Sequence, residues 1–231
     1  DDAFATVRLA LTGAAKMPEE ASRRLTERFG IHLYEGYGLT EASPIVTSSA
    51  GLPNHIGSVG KVLDGMSVRL VDESGDDVLA GDSGEIWVQG PNVFHGYWND
   101  EEATNAALDA EGWLHTGDVA LVDDDGMIYL VDRAKDLIIV SGFNVFPAEV
   151  EEIICEMPGV AECAVVGVPH PHTGESVKAF VVPTPGYALE EDAVIEHCAD
   201  QLARYKCPQK VNFVDALPQN LSGKVLRRAL R

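Results

Sequence analysis

The stretch 129–154, YLVDRAKDLIIVSGFNVFPAEVEEII, joins two hydrophobic rhythms across a cluster of charge. Ahead of the cluster, 128–131 alternates as a strand does. Asp132, Arg133, Lys135 and Asp136 then crowd together, and a domain boundary is expected at 132–135. Beyond it, Val150, Ile153, Ile154 and Met157 recur at intervals of three and four, which places them on one face of a helix. The apolar run Leu137-Ile138-Ile139-Val140 is far shorter than the roughly 20 residues of a membrane span.

Working back from this stretch, residues 52–131 carry short strand patterns at 67–71, 85–89, 119–122 and 128–131, separated by Gly and Asp turns. Asp123-Asp124-Asp125-Gly126 is a hairpin signal. One helix is expected near 100–109. Earlier still, Val7, Leu9 and Leu11 alternate with Arg8 and Ala10 as in a strand. A helix then opens at Pro18, keeps Ala21, Leu25 and Phe29 four apart, and stops at Gly30. Glu19 and Glu20 precede Arg23 and Arg24 by four, the favourable order for helix ion pairs. A strand at 31–35 completes strand–helix–strand, an α/β beginning. Downstream, strands are expected at 161–168 and 176–183, a helix at 190–205 and a last helix starting near Lys224. The fold class is therefore α/β (α+β): residues 1–131 with a β-rich subdomain from about 52, then a smaller α+β domain at 136–231.

The 231 residues are 45% hydrophobic, 23% charged and 7% aromatic, enough to bury a core in one or two domains. Seventeen basic against 37 acidic residues give a net charge of −20. That sign opposes nucleic acid and anionic lipid surfaces. No basic-then-apolar leader is visible and the chain starts without Met, so a trimmed chain or a fragment is expected. Residues 204–231 hold seven basic groups and one acid, leaving −26 on the rest. A cationic tail on an acidic body suits an anionic ligand, and equally suits packing on its own body. Cysteines at 155, 163, 198 and 207 match no zinc spacing and read as reduced thiols of a cytoplasmic protein.

Three segments carry chemistry. In YEGYGLTEASP, 34–44, Gly36 and Gly38 allow close backbone approach, Tyr37 can stack on a flat base, Thr40 can bond a phosphate oxygen, and Glu41 suits Mg²⁺. In GWLHTGDVA, 112–120, Asp118 is an acceptor for a pair of ribose hydroxyls, and Arg133 can reach a sugar or phosphate. In LPQNLSGKVLRR, 217–228, a flexible loop presents Lys224 to steady developing charge. Taken singly, each also fits a plain structural role: a strand-to-turn junction, a turn Asp with a surface Arg, a basic helix start.

In this order the three segments resemble the adenylate-forming (AMP-binding) superfamily, specifically acyl-CoA synthetases (ligases) of the fatty-acid type, over essentially the whole chain. The resemblance implies two steps. ATP and a carboxylic acid give an acyl-adenylate and pyrophosphate, and the thiol of CoA then displaces AMP. It also implies a mobile C-terminal domain that rotates between them. By matching motif it implies that Gly13, Ala14 and Ala15 lie beside the adenine, with Tyr37 flanking the ring between Gly36 and Gly38. Thr40 meets phosphate and Glu41 binds Mg²⁺. Asp118 and Arg133 hold the ribose, Lys135 is the hinge, Gly142 lines the pantetheine tunnel, and Lys224 is the adenylation lysine.

The Ser/Thr/Gly-rich phosphate loop ending in Lys does not occur here, since Thr47-Ser48-Ser49-Ala50-Gly51 lacks a following Lys and lies past Tyr37. The chain is thus expected to be a C-terminal portion that cannot adenylate alone. Ile139 stands where luciferases and some aryl-acid ligases resemble each other in carrying a Lys, which argues against bioluminescence. A medium- or long-chain fatty acid is the expected substrate. The alternatives are another carboxylic acid, or an inert nucleotide- or CoA-binding fragment. Oligomeric state is left open. His170 and His172 read as loop residues rather than metal ligands, His115 as structural, and Trp87, Trp98 and Trp113 as packing residues.

Overall fold

A computed structural model describes residues 4–13, 17, 19–53, 55–72, 74–79, 81–220 and 223–231. The chain divides into two compact units, Asp1–Val131 and Asp132–Arg231.

The first unit holds two sheets. In the first, β1 (Ala10–Thr12) leads through α1 (Glu19–Phe29) to β2 (Leu33–Gly38), followed by β3 (Ile45–Ser48) and β4 (Lys61–Val62). The order is β1-β2-β3-β4, with β1 and β2 parallel and the other pairs antiparallel. The helix is the crossover that a parallel pair requires. The expected strand at 7–11 is displaced to 10–12, because pairing begins at Ala10↔Leu33. Val7, Leu9 and Leu11 are exposed rather than core residues. The expected strand at 31–35 likewise runs later, so Gly36 and Gly38 belong to β2. Pro18, Ala14, Ala15 and the side chains of Glu19 and Glu20 lie outside the described residues.

The second sheet is antiparallel through β5 (Ser67–Val71), β6 (Gly84–Gln89) and β7 (Leu114–Val122), with β8 (Ile128–Arg133) at its edge. Between β6 and β7 lies α2 (Glu101–Ala107), capped by Asp100, whose carboxylate accepts from Ala103 N. Asp123–Gly126 turns β7 into β8, and Gly126 takes φ +76° there. The sheets join where Val59 N donates to Ile128 O and Ile128 N to Gly60 O, both at 2.9 Å. Val46, Ile86, Val88, Leu114, Ala120 and Ile128 form the shared core.

In the second unit, the hairpin β9 (Ile138–Val140) and β10 (Phe143–Val145) precedes α3 (Pro147–Glu156), β11 (Val160–His170), β12 (Gly174–Pro183), α4 (Glu191–Ala199) and β13 (Lys210–Phe213). The sheet order is β10-β9-β12-β11, and β13 pairs with β12 in parallel. Pro147 opens α3, where its missing N–H costs nothing. Val150 and Ile154 from α3 and Val194 and Cys198 from α4 cover one sheet face with Val165, Ala179 and Val181. The next residues along β11, Ala164 and Val166, bury the other face with Phe180 and Leu217. Strands covered on both faces read as unbroken apolar runs.

Two helix expectations are corrected. The helix expected at 190–205 ends at Ala199, where Gln201 N and Leu202 N both turn back to Cys198 O and a separate 3-10 turn follows at Arg204–Lys206. The helix expected from Lys224 is replaced by a tight turn. Asn220 Oδ1 accepts from Lys224 N at 2.9 Å, and Asn220 N donates to Lys224 O. An Asn that closes such a turn competes with helix initiation. Only a 3-10 turn at Arg227–Ala229 follows.

Candidate active site

The segment 34–44 is held in place by its glycines. A Cβ on Gly38 would come 1.7 Å from Pro44 O, and one on Gly36 would come 3.0 Å from Thr47 O. Only hydrogen at Gly38 lets the end of β2 lie against the returning chain, and at Gly36 a Cβ would be a tight fit against β3. A one-residue bulge between Tyr37 and Gly38 re-aims the strand end. Tyr37 N donates to Thr47 Oγ1 at 3.3 Å, and that hydroxyl donates onward to Val59 O at 2.7 Å.

Tyr37 and Asp118 are brought together. The Tyr37 hydroxyl donates to Asp118 Oδ2 at 2.8 Å, with both residues buried. Asp118 reaches this position because β7 bulges. Glu85 pairs with Val119 and Trp87 with His115, so Ile86 alone faces Thr116, Gly117 and Asp118. The bulge is secured from within. Thr116 Oγ1 donates to Ile86 O at 2.7 Å, Gly117 N donates to Glu85 Oε1 at 2.9 Å, and Asp118 N donates to Thr116 Oγ1 at 3.1 Å. Gly117 takes φ +69°, which explains glycine before the aspartate.

Thr40 and Glu41 stand on a 3-10 turn, Thr40–Ala42, after β2. Thr40 is exposed. The main chain of Glu41 accepts from Phe94 N at 2.7 Å, and Asn92 Nδ2 donates to Ala42 O at 2.6 Å. Glu41 Oε1 accepts from the Tyr97 hydroxyl at 2.7 Å. That hydrogen bond and partial burial hold the Tyr97 phenol above its ordinary range. Tyr97 also lines an open pocket of about 600 Å³ with His95, Trp98 and Asp100. Sequence reasoning missed Tyr97; its only signal was an aromatic pair, Tyr97-Trp98, after Gly96. His115, next to Thr116 on the same strand, packs within the sheet. It stacks on Trp87 at 3.8 Å with its Nε2 3.7 Å from Asp109 Oδ2.

In the second unit, Arg133 closes β8 and is half-buried. Its neighbour Asp132 accepts from Ala148 N at 2.9 Å, at the start of α3. Lys135 lies in a 3-10 turn, Ala134–Asp136. Arg231 donates to Lys135 O at 3.2 Å and stands 3.5 Å from Asp136. Arg227 joins Asp136 at 3.6 Å to Glu151 on α3, which it grips through Nε and Nη2 at 3.2 and 2.7 Å. Burial pushes the Glu151 carboxyl up, and Arg227 and Val165 N–H offset part of that. Gly142 forms the β9–β10 turn with Ser141, at φ +83° and +54°, and a Cβ there would meet nothing within 4 Å. Lys224 is exposed on its tight turn, with Gly223 at φ +81°. Gly13 follows β1, and Ala14 and Ala15 lie outside the described residues.

Glu41 fits a Mg²⁺ that arrives with a polyphosphate. Such an ion takes one or two carboxylates and fills its sphere with phosphate oxygens and water. Among the described residues no three His, Cys, Asp or Glu side chains gather as a metal cage. No described helix is long and apolar enough to cross a membrane.

The chain is similar to known proteins in sequence and in fold. The profile of the AMP-binding enzyme matches residues 1–98, and that of the AMP-binding enzyme C-terminal domain matches 149–224. A long-chain-fatty-acid–CoA ligase of Yersinia pestis is 45% identical over 229 residues, 99% of this chain and 40% of that protein. A feruloyl-CoA synthase of Amycolatopsis sp is 44% identical over 230 residues, 99% of this chain and 46% of its own. ATP-bound MatB from Rhodopseudomonas palustris matches at 42% identity and a TM-score of 0.91, over 97% of this chain and 45% of that one. The chain spans less than half the length of each of these relatives.

Proposed function

Because the chain belongs to the AMP-binding enzyme family, we propose that it handles the nucleotide of an AMP-forming ligase that joins a carboxylic acid to the thiol of CoA. In the first step an acid oxygen attacks the α-phosphorus of ATP and pyrophosphate leaves. In the second the thiol attacks the acyl carbon and AMP leaves. Asp118 accepts from the ribose hydroxyls while its other oxygen stays on Tyr37. Tyr37 walls the adenine, Gly13 lies beside the base, and Gly36 and Gly38 hold the strand of Tyr37 close to the returning chain. Arg133 holds the same nucleotide. Thr40 donates to a phosphate oxygen. Glu41 would hold Mg²⁺, which when bound would neutralise phosphate charge. Lys224, on its exposed turn, steadies charge that builds on the acid and α-phosphate during attack. Lys135 serves as hinge, and the bare tip at Gly142 passes the pantetheine arm.

The observation that carries this reading is the Tyr37–Asp118 hydrogen bond on a glycine-built bulge, which leaves a buried carboxylate fixed in direction. Calorimetric titration of the chain with AMP and with a non-hydrolysable acyl-adenosine analogue tests it. Binding is expected, and Asp118→Ala should weaken it at least roughly tenfold, as loss of a charge-assisted hydrogen-bond pair does. Absence of binding, or equal binding by the variant, overturns the reading.

A medium- or long-chain fatty acid is the proposed substrate, supported by the 45% identity to a long-chain ligase. The 44% identity to a feruloyl-CoA synthase supports an aromatic acid as the second reading. Fatty-acyl and feruloyl adenosine analogues, competed against each other, separate the two.

A further inference from the structure

We propose that Cys155 and Cys163 are a modification site, a dithiol that peroxide closes into an intramolecular disulfide. Cys155 lies in the last turn of α3 and Cys163 near the start of β11, and their sulfurs are 3.2 Å apart. A disulfide needs roughly 2.05 Å, so about 1.2 Å of approach remains, within reach of side-chain rotation. Cys155 is exposed, so an oxidant reaches it, and Cys163 is partly covered. Glu151 O, 3.3 Å away, fixes the Cys163 sulfur beside its partner.

The two thiols are also chemically unequal. The hydrogen bond between the two sulfurs holds Cys155 below the ordinary thiol range despite partial burial and the Glu151 and Glu152 carboxylates. The same hydrogen bond, with burial, pushes Cys163 up. Thiolate character and exposure therefore coincide at Cys155, the combination that selects a sulfur for oxidation. Cys198 and Cys207 are buried, and burial raises both thiols, Cys198 to about 11.

The chemistry balances with hydrogen peroxide as the two-electron oxidant. The Cys155 thiolate attacks one peroxide oxygen, the O–O bond breaks, and a sulfenic acid and hydroxide form. The Cys163 sulfur then attacks the Cys155 sulfur, the S–O bond breaks, and water leaves with the Cys163 proton. Two thiols and one peroxide give one disulfide and two waters. The cross-link would bind the end of α3 to β11, one turn beyond the Glu151 that Arg227 grips.

Treating the folded chain with hydrogen peroxide, alkylating the remaining thiols after denaturation and mapping peptides by mass spectrometry tests this. A Cys155–Cys163 cross-linked peptide is expected, with Cys198 and Cys207 alkylated. In Cys163→Ser, a cyclic 1,3-dione should trap a sulfenic acid on Cys155. In Cys155→Ser, Cys163 should stay reduced, which serves if the first variant fails to fold. Four alkylated thiols after peroxide, earlier oxidation of Cys198 or Cys207, or a sulfinic Cys155 beside an alkylated Cys163 would overturn the proposal.

Discussion

Tyr37 on β2 gives its hydroxyl hydrogen to Asp118 on β7 at 2.8 Å, across 81 residues of chain. The bond ties the two sheets of the first unit together at a point where both residues are buried. Tyr37→Phe should cost about 1.5–3 kcal/mol in urea unfolding, because it leaves a buried carboxylate oxygen short of a donor. A double-mutant cycle with Asp118→Asn should return coupling of about 1 kcal/mol or more. Additive losses would mean that the bond does not join the sheets energetically.

Tyr97 and Tyr129 should titrate late. Glu41 accepts from the first and Asp123 from the second, at 2.7 and 3.1 Å, and both phenols are held above the ordinary range. For a group with a raised folded pKa, the stabilisation is full below the unfolded value, about 10, and is lost as pH rises through the folded one. The tyrosinate absorbance should therefore show a late phase that Tyr97→Phe and Tyr129→Phe each reduce. A wild-type curve that superimposes on both variants contradicts this.

Arg227→Met should destabilise the second unit by roughly 2–3 kcal/mol, toward the low end for a buried pair because Arg227 keeps 21% of its side chain exposed. The loss should depend on pH. Glu151 already binds its proton more tightly folded than unfolded, because burial outweighs Arg227. Removing the cation widens that difference. The deficit of the variant should be small below about pH 4 and grow as pH rises through the carboxylate range. Adding Glu151→Gln should flatten it. Urea midpoints at several pH values check both statements.

Glycine positions should separate by local space. Gly38→Ala drives a Cβ into the Pro44 carbonyl and should cost more than about 3 kcal/mol, or prevent folding of the first unit. Gly142→Ala meets open space and should cost only about 1 kcal/mol for its positive φ. Circular dichroism melts of the two variants give the comparison.

Local chemistry was legible in the sequence, and pairing was not. The strand expected at 67–71 coincides with β5, because five alternating residues between turns leave one register. The helix with Val150 and Ile154 inward appears as α3. The hairpin β9–β10 shows in the sequence only as an apolar run, since three-residue strands carry too little periodicity. Asp118 was found as an acid after glycine, yet its bulge depends on β6, thirty residues upstream. Tyr97 was missed because its partner Glu41 lies 56 residues away. The basic and apolar residues after Lys224 suit a helix. The Asn220 side chain settles the matter instead, by closing its own turn.

The bulge in β7 also works as a frame. Four steps from His115 to Val119 stand opposite two steps from Trp87 to Glu85, so the strand gains two residues. Side chains alternate with period two, so an even surplus leaves the phase unchanged. Leu114 before the bulge and Ala120 after it both point into the same core. A surplus of one would have sent one flank of the strand outward. The loop that displays Asp118 can thus vary in length in steps of two without disturbing the sheet that carries it, much as a coding sequence tolerates insertions in whole codons.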